Sequence, residues 1–200
     1  SGKSTVARML ADRGAVVIDA DRIVHELQAP GTPSLAEIVT AFGNGVLRAD
    51  GSRDRPALAG IVFSDPEARA RLNAILHPKV AAEMARRERA AREEGAPLVV
   101  LDIPLLLEGQ AAGTGTAARL GFDAIVVVWV PEAVQVARTC ARDGCDEPEA
   151  RRRIAAQLPL DQKRTLADHV IDNSGSPEET QRQVDALWEK LAVGVKKEPA

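Results

Sequence analysis

An α/β fold, with a parallel five-stranded sheet flanked by helices, is what this 200-residue sequence predicts. Three observations predict it. Short apolar, β-branched runs at 15–18, 98–101 and 124–130 each follow a helical stretch, the pattern of buried parallel strands covered on both faces. His169-Val170-Ile171 adds a shorter fourth strand. The chain begins with Ser1-Gly2-Lys3-Ser4-Thr5, the second half of a G-x-x-x-x-G-K-[ST] loop, which a strand ordinarily precedes. The first strand and the loop's opening glycine are therefore expected upstream of Ser1, and the 200 residues read as part of a slightly longer protein.

In a complete loop of this kind, backbone N–H groups wrap phosphate oxygens and the following helix aims its N-terminus at the anion. Ser1, Gly2, Lys3, Ser4 and Thr5 would fill its last positions, with Lys3 as the phosphate cation and Ser4 as the hydroxyl that reaches Mg²⁺. A stray G-K-[ST] turns up in roughly one chain in ten of this length, so the surroundings must decide. They favour the loop. Val6, Met9 and Leu10 follow at helical spacing, Gly14 supplies a helix stop, and strand 15–18 ends in Asp19-Ala20-Asp21. Loop, helix and apolar strand in that order make a βαβ unit.

Between the first two visible strands lies an insertion far longer than a crossover needs. After Pro30-Gly31-Thr32-Pro33 the pattern predicts a helix near 35–42, turns around Gly43-Asn44-Gly45 and Ala49-Asp50-Gly51, and helices over 55–63, 66–76 and 78–94. Pro56, Pro66 and Pro78 each fall where a first-turn proline is tolerated. The chain thus divides into a core of 1–28, 97–140 and 165–194, a helical subdomain over 30–96, and a basic segment over about 141–164 that reads as a lid. The helical subdomain would lie beside the sheet's carboxyl edge, either as an acceptor-binding lobe or as mere decoration. Residues 109–116 read as a surface loop without chemistry, and 195–200 as a frayed tail.

Composition excludes several classes. A net charge of −3 gives no general attraction to nucleic acid, and 2% aromatic residues with no Tyr cannot build a base-stacking platform. Cys140 and Cys145 lack partners at zinc spacing, and His25, His77 and His169 are scattered. No apolar run approaches a membrane span, so a cytoplasmic protein with reduced thiols and no membrane partner is expected.

Phosphoryl transfer needs positioning, charge neutralisation and an oriented nucleophile. Asp19 and Asp21, at the carboxyl end of the strand beside the loop, can serve it: Asp21 as base, Asp19 in support of Mg²⁺ or Lys3. Asp21 also precedes a helix predicted from Arg22 and would cap it equally well, so both roles stay open. Asp102 ends strand 98–101, as the carboxylate that holds Mg²⁺ does in many phosphate-loop enzymes. Glu108, in Pro104-Leu105-Leu106-Leu107-Glu108, contacts an acceptor or caps the next helix. Arg138 and Arg142 share a helix face. With Arg151-Arg152-Arg153 and Lys163-Arg164 they could close over a triphosphate, although Glu147 and Glu149 stand ready to pair with the middle set. His77-Pro78, at a predicted helix junction, reads as structural.

Together these residues resemble one family, dephospho-coenzyme A kinase. The resemblance rests on Gly2-Lys3-Ser4-Thr5, Asp19-Ala20-Asp21, Leu72-Asn73-Ala74-Ile75-Leu76-His77-Pro78, Pro104-Leu105-Leu106-Leu107-Glu108, Gln135 with Arg138 and Arg142, Arg153-Ile154-Ala155-Ala156-Gln157 and Asp168 with Ile171-Asp172-Asn173-Ser174-Gly175. It implies ATP-dependent phosphorylation of the ribose 3′-hydroxyl of dephospho-CoA, with Mg²⁺, by a phosphate-loop kinase. It also implies Lys3 on the phosphates, Asp21 facing the acceptor hydroxyl, and Arg138 in transition-state stabilisation. Asn173 and Gly175 would lie near adenine, Arg142 on the nucleotide, and Asp19, His77, Leu106 and Glu108 at the acceptor.

Overall fold

The computed structural model describes residues 1–111, 113 and 120–192. Of the loop expected at 109–116, residues 109–111 are instead helical, and 112 and 114–116 lie outside the described residues, as does all of the expected tail at 195–200.

Helix α1 (Lys3–Asp12) follows Gly2, whose φ of 87° is a left-handed conformation that costs a glycine little. It leads to β1 (Val16–Asp19) and then, without a loop, to α2 (Ala20–Leu27). The insertion comprises α3 (Pro33–Phe42), a 3₁₀ turn (Asn44–Val46), α4 (Arg55–Ser64) and α5 (Pro66–Glu93). Strand β2 (Val99–Asp102), helix α6 (Leu106–Ala111) and strand β3 (Val126–Trp129) follow. Helices α7 (Glu132–Asp143), α8 (Glu147–Ala155) and α9 (Leu160–Thr165) precede β4 (His169–Asp172) and α10 (Pro177–Ala192).

The sequence predicts one five-stranded sheet; the four described strands form two parallel pairs, β1 with β2 and β3 with β4. In the first pair Val16 stands opposite Val99 and Asp19 opposite Asp102, so this register brings two aspartates together at the carboxyl end. In the second, Val126 faces His169 and Trp129 faces Asp172. An apolar cleft of about 360 Å³ separates the pairs. Leu98 to Ile103 wall one side and Ala124 to Val126 the other; Val6, Ala7 and Leu10 of α1 line it too.

Three apolar clusters hold the elements. Val6, Leu10, Val128, Ile171, Val184 and Leu187 fasten α1 and α10 to the second strand pair. Ile18, Ile23, Val80 and Met84 lock β1 and α2 against α5. Ile38, Val46, Leu58 and Leu76 form the core of the insertion. Each fully buried aliphatic side chain contributes roughly 1.5–3 kcal/mol, which suffices to order a helical insertion around one long helix.

That long helix is a correction. Where two helices meeting at His77-Pro78 are expected, α5 runs unbroken for 28 residues with Pro78 inside it. Proline removes one intrahelical bond and crowds the preceding turn, at about 3 kcal/mol. Burial on both sides of the proline, by Ala68 and Leu76 before it and Val80, Ala81 and Met84 after it, outweighs that cost. His77 consequently keeps a helical conformation.

Candidate active site

The first strand pair and α1 build the centre of the site. Lys3, the first residue of α1, pairs through Nζ with Asp102 Oδ1. Asp102 is 12% exposed, whereas Lys3 is 47% exposed, so the ammonium reaches from a water-facing helix start to a sheltered carboxylate. Asp19, opposite Asp102 in the register, turns its Oδ1 back to accept from the amides of Asp21 (2.8 Å) and Arg22 (3.2 Å).

This assigns the cap differently from the sequence reading. Helix α2 begins at Ala20 rather than Arg22, so Asp19 is its N-cap and Asp21 lies in its first turn. The carboxylate of Asp21 is thereby spared the capping duty. Although its surface is open to solvent, partial loss of water raises its pKa; the negative charges of Asp19 and Asp102 add to the rise, and Lys3 opposes it. A carboxylate held back from ionising beside a lysine suits proton acceptance better than an ordinary surface aspartate does.

The second strand pair brings in the other end of the sequence. Asn173, directly after β4, donates its backbone N–H to Trp129 O and its Nδ2 to Ser1 O at 2.8 Å. Its Oδ1 accepts from the buried Thr180 hydroxyl at 2.9 Å. Gly175 precedes the start of α10, where Ser176 Oγ accepts from Glu179 N and Glu179 Oε2 accepts from Ser176 N, a reciprocal capping box. Any side chain at Gly175 would run into Glu179.

The arginines divide. Arg138 Nη1 lies 3.7 Å from where a side chain on Gly2 would begin, and among the described residues no carboxylate pairs with it. Arg142 grips Asp143 instead, at 2.6 and 2.9 Å, although its charge, like that of Arg138, reaches Ser1. Arg151 pairs with Glu147 and Glu132, Arg152 with Glu149, and Arg153 with Glu149 and Asp143. The middle set is thus a solvated, acid-paired face, as Glu147 and Glu149 foreshadowed.

Glu108 lies in the first turn of α6. Its Oε1 accepts from Leu158 N at 3.0 Å and pairs with Lys163 Nζ at 2.7 Å, both carboxylate and ammonium being largely sheltered. Burial pushes its pKa up, but the bonds from Lys163 and Leu158 win and the net shift is downward. Leu106 lines the cleft between the strand pairs. His77 sits mid-helix in α5, half-buried and engaged in contact. Ser4 and Thr5 stand in the first turn of α1, Ser4 exposed. Cys140 and Cys145 are free thiols.

Sequence reasoning passed over Lys163 as a single residue, and over a cluster of His25, Arg53 and Arg55. Arg55 Nη2 lies 2.5 Å from His25 Nδ1. The available signal was the i, i+4 spacing of Asp21 and His25 on α2, which puts both on one helix face.

Parallel strands tipped with carboxylates, a helix starting at a Gly-Lys-Ser loop and an arginine over that loop with no carboxylate partner among the described residues define an α/β phosphotransferase. Comparison with known proteins is specific: residues 1–179 match the family model described as dephospho-CoA kinase. The dephospho-CoA kinase of Symbiobacterium thermophilum is 52% identical over 200 residues, covering 100% of this chain and 81% of that protein. That of Leifsonia xyli is 48% identical over 192 residues, covering 96% and 93%. Among solved structures, a Thermus thermophilus protein superposes with a TM-score of 0.74 at 36% identity, covering 95% of this chain and 92% of that one. Dephospho-CoA kinase from Campylobacter jejuni gives 0.70 at 26% identity, over 97% and 93%. This chain belongs to the dephospho-CoA kinase family.

Proposed function

We propose that the protein transfers the γ-phosphoryl group of ATP to the ribose 3′-hydroxyl of dephospho-CoA, giving coenzyme A and ADP, the last step of coenzyme A synthesis. The observation that carries this reading is the convergence of Lys3, Asp102, Asp19 and Asp21 at one strand end, in a chain of this family. The acceptor oxygen bonds to the γ-phosphorus as the bond to the β-bridging oxygen breaks; the hydroxyl proton passes to Asp21 and ADP departs.

Lys3 and the loop residues Ser1, Gly2, Ser4 and Thr5 hold the phosphates, and Arg138 meets charge that develops on the transferring group. Arg142 would join it on release from Asp143. Asn173 and Gly175 flank the adenine, while Asp19, His77, Leu106 and Glu108 belong to the acceptor side. The insertion over 30–96 serves as acceptor lobe and 141–164 as lid, and the cytoplasm is the place of action.

Mg²⁺ fits the donors. Ser4 Oγ and Asp102 are hard oxygen ligands, and the Asp19 and Asp102 charges that hinder ionisation of Asp21 are what a divalent cation relieves. Among the described residues no group of three or more His, Cys, Asp or Glu side chains could hold a metal ion; Mg²⁺ held by Ser4 and Asp102 would draw its other ligands from water and substrate phosphates. Bound there, Mg²⁺ would neutralise phosphate charge.

A five-stranded sheet is the finer reading of the fold. Its support is the cleft, walled by β2 and β3 and by no residue of β1 or β4. A fifth parallel strand placed there would pair with both open edges and lead into Ser1, completing the loop. Among the described residues no helix is long and apolar enough to cross a membrane.

The test is direct: protein with Mg²⁺, labelled ATP and a panel of acceptors should yield 3′-phosphorylated product from dephospho-CoA in preference to nucleosides or nucleoside monophosphates. Preferred labelling of a nucleoside, or ATP binding without turnover, overturns the proposal.

A further inference from the structure

Arg53 is half-buried, and among the described residues it has no acidic partner. Its two nearest acids in sequence are committed elsewhere: Asp54 Oδ1 caps α4 by accepting from Ala57 N, and Asp50 Oδ1 accepts from Ser52 N and Oγ. Two residues on, Arg55 opens α4, where a cation opposes the helix dipole and helix stability gains nothing from it. Burial first, then the charge of Arg55, makes the Arg53 guanidinium hold its proton less tightly. Arg55 Nη2 donates to His25 Nδ1 at 2.5 Å. That contact requires a lone pair on Nδ1, which leaves the proton of the neutral ring on Nε2 as a further donor. Arg55 meets His25 and its charge reaches Arg53, so three donor groups gather without a paired carboxylate among the described residues. Arg53 is half-buried while His25 and Arg55 are exposed, so the cluster faces solvent and is open to an anion that would complete it.

Its position says which anion. His25 lies four residues beyond Asp21 on α2, on the same face and about 6 Å further along the axis. That rise is comparable with the span from a ribose 3′-oxygen, across the ring, to the phosphate on its own 5′-oxygen. The acceptor of the proposed reaction carries a 5′-linked diphosphate. Resting on that reading, we propose that Arg53, Arg55 and His25 form a cradle for the acceptor's 5′-diphosphate, setting its 3′-hydroxyl at Asp21. The cradle is pinned from both sides: Arg53 pairs its backbone with Leu47 in an antiparallel bridge, and α2 is clamped to α5 by Glu26 with Arg87. An acceptor lacking the diphosphate would find the hydroxyl site but not the anchor.

Arg53→Gln and Arg55→Gln, which keep side-chain length and polarity, test it in the full protein. Each should raise KM for dephospho-CoA about tenfold, with kcat and KM for ATP unchanged. Adenosine, which offers the 3′-hydroxyl without phosphate, should show the same kcat/KM with wild type and variants. A KM for dephospho-CoA within twofold of wild type overturns the cradle. So does a parallel rise in KM for ATP, which would assign the cations to the nucleotide, or an equal loss with adenosine, which would make them structural. Wild-type protein that fails to phosphorylate dephospho-CoA at all would instead sink the functional reading, before any variant is made.

Discussion

Asn173 donates its side-chain amide to the carbonyl of Ser1, 172 positions away in sequence, at 2.8 Å. The same side chain accepts from Thr180 at 2.9 Å, and Thr180 is fully buried. A methyl group on Gly2 would collide with the Asn173 amide, so loop and asparagine interlock. Replacing Asn173 by Ala strips Thr180 of its better acceptor, leaving only Ser176 O at 3.3 Å, and frees the start of α1. The expected cost is about 1–3 kcal/mol, seen as a lower unfolding midpoint, together with a raised KM for ATP. An unchanged KM would separate the asparagine from nucleotide binding.

Gly2→Ala attacks the same interlock from the other side. Gly2 has φ 87°, which a Cβ disfavours, and the added methyl would displace Asn173 or the loop. ATP affinity should fall more than stability does, as isothermal titration beside thermal unfolding would show.

Asp21→Asn should lower kcat about 10²–10⁴-fold while leaving ATP affinity nearly intact, because a base acts chiefly in the transition state. Stability should move the opposite way. The folded pKa of Asp21 is raised above 3.8 by burial and by Asp19, so its contribution to stability is present below 3.8 and is lost as pH rises through the folded value. At neutral pH the ionised group therefore weighs against the fold. The Asn variant should melt higher than wild type near pH 7, with the advantage fading below about pH 4. A variant equally stable at both pH values would argue against the raised pKa.

How much of this was legible in the sequence depends on whether the cause was local. The four strands, Lys3 at a helix start and Asp102 at a strand end follow from short apolar runs and a loop motif. The registration of Asp19 opposite Asp102 does not, because strand pairing is a long-range choice. Pro78 misled for a similar reason: local propensity breaks a helix there, and only the burial of Leu76 and Val80 on either side overrides it. The cap falls to Asp19 and not to Asp21 because α2 starts two residues early, a boundary that propensity does not resolve. The Arg53, Arg55 and His25 cluster was illegible as a cluster, since Arg55 reaches His25 across 30 positions of sequence, a long-range contact that no local pattern signals.

Glu108 and Lys163 supply the last prediction. They join α6, directly after the Asp102 strand, to α9, and the carboxylate also holds Leu158 N. Glu108→Gln would leave the sheltered Lys163 ammonium without its counter-charge and weaken the bond to Leu158. The loss should be about 1–3 kcal/mol, less than for a fully buried pair because both groups retain some solvent. Since the folded pKa of Glu108 lies below 4.5, its contribution is present above that value and lost as pH falls through the folded one. Wild type and variant should thus converge in stability in acid and differ most near neutrality. Amide exchange across 158–165 should quicken in the variant more than exchange in β1 and β2 does. If 158–165 is part of a lid, kcat should change as well; exchange that quickens with kcat unmoved would make the pair a strut of the fold and no part of closure.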